Sequence, residues 1–195
     1  MKVWAYVHPE LKTLCCALLP EAVPQGIQAI EFDVESPDDI ILDNGQIRVK
    51  TEQDKLAEAK QKAINELSQK TTTYILRYYP ENKQRSDVSD KENGESYLSL
   101  QNIDTIQLRK DIADETIKNY PDFTTALNNI LIKYQSSTNQ LINYWLTQGL
   151  KIAFRNYFVF LVKQEHYNLE TQINNATSEA ELPAITFTTI FSEGL

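Results

Sequence analysis

Two cysteines, two histidines, one methionine and five glycines are all this 195-residue chain has of those types. Each scarcity excludes something. Cys15 and Cys16 are neighbours, and a bridge between adjacent cysteines strains the peptide joining them. The pair therefore gives no disulfide framework and points to a reducing compartment. Two small apolar residues beside a strand are the plainer expectation, a reactive vicinal dithiol the sharper one. Neither His8 nor His166 has a metal-ligating neighbour at helical spacing, so no metal site is expected. Five scattered glycines build no phosphate loop, nucleophile elbow or dinucleotide turn, so no cofactor is expected either. Long uncharged apolar runs are also missing. The greasiest stretch, Leu141 to Val162, is broken by Asn143, Gln148, Lys151, Arg155 and Asn156, which makes it a buried helix rather than a membrane span. No block of lysines or arginines occurs, and a net charge of −8 with a pI near 4.8 argues against a dedicated nucleic-acid binder. Acidic residues and Pro9 arrive too early for a signal peptide. The expectation is a soluble cytoplasmic chain.

What is present suffices for a folded core. Hydrophobic residues make up 42% of the chain and aromatics 10%, enough for one large domain or two small ones. Residues 1–50 read as a β-rich module. Val3 to Val7 suits a strand, Leu14 to Leu19 a second, and Ile30, Phe32 and Val34 alternate with acidic neighbours in a third. Ile40 to Val49 is a hairpin whose Asn44-Gly45 pair supplies the positive φ angles of a tight turn. So small a sheet needs a helix or a partner to lean on.

Thr51 caps the next helix, with Asp54 three residues on. Leu56, Ala59, Ala63, Leu67, Lys70 and Tyr74 share one face as far as Pro80, so residues 51–80 read as one amphipathic helix. The seam allows a coiled coil in a homo-oligomer, but two alanines and a lysine favour packing within the chain. Residues 81–95 hold one apolar residue among many charges and read as a polar connector. From 96 to 176 the helical period returns as a bundle. Asp122 caps one helix, Ser136-Ser137-Thr138 breaks and recaps the chain, and Leu141–Val162 forms the central helix. Residues 177–195 form a tail in which Ser178 and Glu181 make a short capping box and Ile185–Phe191 read as a strand. That strand either joins the N-terminal sheet or awaits a partner. The fold class is α+β, a small antiparallel β module followed by a mainly α-helical domain.

No catalytic constellation assembles. Asp38, Asp39 and Asp43 lack the spacing of a calcium loop and suit turn formation. His166 is expected to complement a helix C-terminus. A Cys–His nucleophile pair has no spacing to support it. Tyr144, Trp145, Phe154, Tyr157, Phe158 and Phe160 could line a ligand cleft, with core packing the plainer expectation. Tyr74, Arg77, Tyr78 and Tyr79 could anchor a partner where the long helix ends.

Residues 30–51, from Ile30-Glu31-Phe32-Asp33 through Asp43-Asn44-Gly45 to Lys50-Thr51, run into a Lys/Glu/Ala helix from Glu52 to Leu67. This arrangement resembles small proteins encoded in bacteriophage and prophage tail regions, described as tail-fibre or tail-fibre-associated proteins. Tyr79 to Ser86 and Ile173 to Leu182 are similar to them too, so the likeness reaches about half the chain. It implies a non-enzymatic tail protein, a fibre component or adaptor that docks on other tail or fibre proteins. The edge of the Ile40–Val49 hairpin or the Ile185–Phe191 strand would make the contact. The host cytoplasm during assembly and the virion tail would be its locations. A soluble tail-fibre assembly chaperone is the alternative. A small enzyme or ligand-binding protein using the aromatic cleft is a reading of another class.

Overall fold

The computed structural model describes residues 1–134 and 139–195; the Ser136–Thr138 break expected from sequence lies outside them. The fold is α+β, with five strands in the first 50 residues and five α-helices among the described residues. Contacts divide the chain into two units, residues 1–61 with 177–179 and residues 62–176 with 180–195.

In the first unit, β1 (Lys2–Val7), β2 (Leu14–Ala17) and β3 (Ile30–Asp33) form an antiparallel sheet in the order β2-β1-β3. Val3 and Ala5 point to one face and build a small core with Val34 and Ile40. The His8 amide donates to the Thr13 carbonyl at 2.8 Å, and the pairing continues through Tyr6↔Cys15 and Trp4↔Ala17. Because hydrogen-bonded positions alternate, the main-chain groups of Leu14 and Cys16 turn to the outer edge of β2. Glu31 and Asp33 hold the equivalent outward positions on β3, where the Val34 amide bonds the Met1 carbonyl.

The hairpin forms as its turn residues dictate. β4 (Ile40–Asp43) and β5 (Gln46–Val49) pair across Asn44 and Gly45, whose φ angles are 49° and 82°. Arg48 ties it to the start of α1 (Glu52–Tyr78), its Nε on Asp43 at 2.9 Å and its two terminal nitrogens on Asp54 at 2.6 and 3.1 Å. Thr51 and Asp54 make the expected reciprocal cap: the Asp54 amide donates to the Thr51 hydroxyl and the Thr51 amide to the Asp54 carboxylate.

The second unit continues α1 and adds α2 (Glu81–Leu100), α3 (Thr105–Asn119), α4 (Phe123–Lys133) and α5 (Gln140–Asn175). Asp104, Asp122 and Asn139 cap the last three by accepting amide hydrogen bonds. At 36 residues α5 is ~54 Å long, and Leu146, Leu150, Phe154, Phe158 and Val162 along it are fully buried. Leu98, Leu108, Phe123, Ala126 and Ile130 close the core around its first half.

Four expectations need correction. Residues 81–95 are helix, not connector. The buried side of α2 is Asp87, Gly94 and Leu98, so over residues 81–95 a charge and a missing side chain do what a hydrophobic stripe does in an ordinary helix. One turn apart, Glu81 pairs with Arg85 on the exposed side, and Lys83 reaches the buried Asp87. Residues 185–191 are extended but join no sheet. On α1 the buried position is Thr71 rather than Lys70, because its hydroxyl is satisfied by the Leu67 carbonyl and by His166. His166 itself sits inside α5, which runs on to Asn175, so it complements no helix end.

Candidate functional site

Three places in the described chain gather the chemistry singled out in the sequence, together with residues it did not reveal. The first is polar and buried. Asp87 and Arg155 are only 2% and 5% exposed. The Arg155 guanidinium donates to both Asp87 oxygens at 2.9 and 2.8 Å, Lys83 Nζ lies at 2.9 Å, and the Tyr79 hydroxyl donates at 2.9 Å. Burial alone would push the Asp87 carboxyl up; the hydrogen bonds from Lys83, Arg155 and Tyr79 outweigh it and hold the group below its ordinary range. Burial and the bond to Asp87 push the Tyr79 hydroxyl well up, so it stays a donor. Asp111 is a second satisfied buried carboxylate, taking Lys133, Tyr134 and Gln107 at 2.8 Å each. Such hydrogen-bonded networks fix helices against one another.

Beside this network a cleft opens between α2, α3 and α5. Its volume is about 220 Å³, and Leu98, Leu108, Ile112, Trp145 and Ile152 make it apolar. Gly94 shapes one wall. A Cβ there would lie 2.8 Å from the Trp145 ring, so the glycine lets the indole press on the α2 backbone. Overpacking against the indole, about 2 kcal/mol, is expected to outweigh the ~1 kcal/mol that helix propensity adds, so Gly94→Ala should lower stability in a urea titration against wild type. At the rim Arg109 grips Glu95 with two bonds, at 2.8 and 2.5 Å.

The third place is the seat of the C-terminal segment. Positions 185, 187, 189 and 191 turn inward, and the residues between them are exposed. Phe187 stacks on Tyr74, and Phe191 on Tyr78 and edge-on to Phe158, with centroids 5.1–5.4 Å apart. Its main chain is held from both sides. Lys70 and Tyr74 donate to the carbonyls of Ile185 and Thr189, Glu165 accepts the Thr188 amide, and Tyr120 donates to the Ile190 carbonyl. Burial raises the Glu165 carboxyl, but bonds from Thr188 and Thr189 override it and keep the group low. Burial pushes the Tyr120 hydroxyl up to about 12.

The residues weighed in the sequence fall as follows. Tyr74 and Tyr78 anchor the chain's own tail, and Tyr79 the buried aspartate. Of the six aromatics proposed for one cleft, Phe154 and Phe158 are core, Tyr144 and Phe160 are exposed, and only Trp145 lines the cavity just described. Tyr157 stacks on Phe160 elsewhere on α5, lining a separate shallow hollow. Asp39 closes a capping box on Ser36, and Asp43 pairs with Arg48, both as turn residues do. Cys15 and Cys16 are free thiols on opposite faces of β2, and burial first, then Cys15, pushes the Cys16 thiol up. That is the reverse of an activated thiolate. His8 accepts amides of its own turn through Nδ1. Among the described residues no group of His, Cys, Asp or Glu is placed to hold a metal ion. No helix there is long and apolar enough to cross a membrane. Sequence reasoning missed Asp87, Asp111 and Arg155 because a buried charge leaves no hydrophobic signal.

No protein-family model, curated protein or solved structure matches the chain.

Proposed function

We propose that this chain is a non-enzymatic docking protein of a phage or prophage tail, acting on other tail or fibre proteins in the host cytoplasm during assembly. The open edge of β2 carries the reading. An edge strand offers unpaired amides and carbonyls to a partner strand unless charge, proline or a covering element guards it. The edge of β3 is guarded by Glu31 and Asp33, and the hairpin by Asp43, Arg48 and Lys50. The tail segment is held from both sides by its own unit and is a poor docking strand. Leu14 to Leu19 carries no charge over six residues. Leu11, Leu18 and Leu19 flank that edge at 69%, 56% and 63% exposure, far more than a strand end needs. Main-chain pairing at Leu14 and Cys16 would supply affinity, and the leucines an apolar anchor.

In lysates of the phage-producing host, the tagged chain is expected to sediment with tail or tail-fibre assemblies. A double variant, Leu18→Glu with Leu19→Glu, should stay at the top of the gradient with an unchanged far-UV spectrum, since both side chains are exposed in the free protein. A wild-type chain that stays at the top contradicts the reading, and a double variant that sediments like wild type removes β2 from it.

A further inference from the structure

The cleft between α2, α3 and α5 plays no part in the docking reading. We infer that it is a binding site for a small uncharged aromatic molecule of one or two rings. Size sets the upper limit. An apolar cavity of ~150 Å³ is enough to take up benzene, and this one is about 220 Å³. Lining sets the character: Leu98, Leu108, Ile112 and Ile152 offer aliphatic contact, and Trp145 an aromatic partner. Access is open, because Lys91, Arg109 and Asn156 at the mouth are all exposed. The cleft continues into a more polar hollow that reaches Tyr79 and Gln84, which shares Lys91, Glu95, Arg109, Ile152 and Asn156 with it.

Charge decides the class. Asp90, Lys91, Glu95 and Arg109 at the rim sum to zero. Arg109, the guanidinium among them, is neutralised by Glu95 through Nε and one terminal nitrogen. A rim of two carboxylates and two cations offers a charged ligand of either sign no net attraction, and the apolar walls would strip its hydration without a buried counter-charge. An uncharged ring leaves every rim pair intact while burying its faces. The wall geometry supports a flat guest, since Gly94 gives up its side chain to hold the Trp145 indole against the helix.

The chain has two tryptophans, Trp4 and Trp145, hence two indole N–H signals in a ¹⁵N-labelled sample. Titration with benzene and with indole is expected to shift the Trp145 signal saturably and leave that of Trp4 in place. Benzoate, with the same ring and one negative charge, should bind about tenfold more weakly or worse. Ala153→Leu places extra bulk in the cleft from α5 and should abolish the saturable shift while the other amide signals stay dispersed. No saturable shift with either ring compound, benzoate binding as tightly as benzene, or an Ala153→Leu variant that binds like wild type would each overturn the assignment.

Discussion

Asp87→Ala is expected to destabilise the helical unit by about 3–5 kcal/mol, because it leaves the Arg155 guanidinium buried without its carboxylate. Urea unfolding followed through Trp145 fluorescence in a Trp4→Phe background reads this unit by itself. The loss should exceed that of any exposed charge in the same unit, such as Glu81 or Arg85. Replacing both partners, Asp87→Leu with Arg155→Met, should recover most of it, since the desolvation of two ions disappears together with their attraction. A double variant as unstable as Asp87→Ala would mean that the network contributes more than a satisfied pair. The pH dependence follows from the same group. Asp87 is held below the ordinary carboxyl range when folded, so the unfolded chain binds the proton more tightly. Its stabilisation is complete above an unfolded value of about 4 and is lost as pH falls through the lower folded value. Glu165, also held low, acts in the same direction.

Phe158→Ala is expected to cost a similar ~3–5 kcal/mol. Its ring is fully buried and meets Tyr74, Tyr78 and Phe191 at centroid distances of 6.0, 5.7 and 5.1 Å. The second consequence is local. With the floor of the seat removed, amides from 187 to 191 should exchange hydrogen faster than the rest of the unit. Glu165→Gln should free the Thr188 end with a much smaller global cost, because it changes the acceptor of two hydroxyls and one amide rather than the core. Equal exchange in all three proteins would contradict the seat as described.

Some of this fold is legible in the residues and some is not, for reasons that differ by element. The Asn44-Gly45 turn, the Thr51 and Asp122 caps and the apolar length of α5 are local rules, and each holds. Helix α2 is illegible because its packing face is built from Asp87 and Gly94, which satisfy the core by pairing and by absence. The tail has the period-two pattern of a strand, and its inward positions are those the pattern selects. What it packs on is helix, because Tyr74, Tyr78 and Phe158 offer a flat aromatic bed and side chains take over the hydrogen bonds of a missing ladder. The cleft is invisible for a related reason: its walls come from three helices, one of which carries no hydrophobic signature.

The docking reading makes one demand that hydrogen exchange tests at single residues. When the chain is bound to tail or fibre assemblies, the amides of Leu14 and Cys16, which face the open edge of β2, should slow strongly relative to the free protein. Those of Cys15 and Ala17, already paired to β1, should change little. Protection that alternates in this way is the result expected of strand addition. Unchanged exchange at Leu14 and Cys16 in a bound chain would place the contact elsewhere and contradict the account.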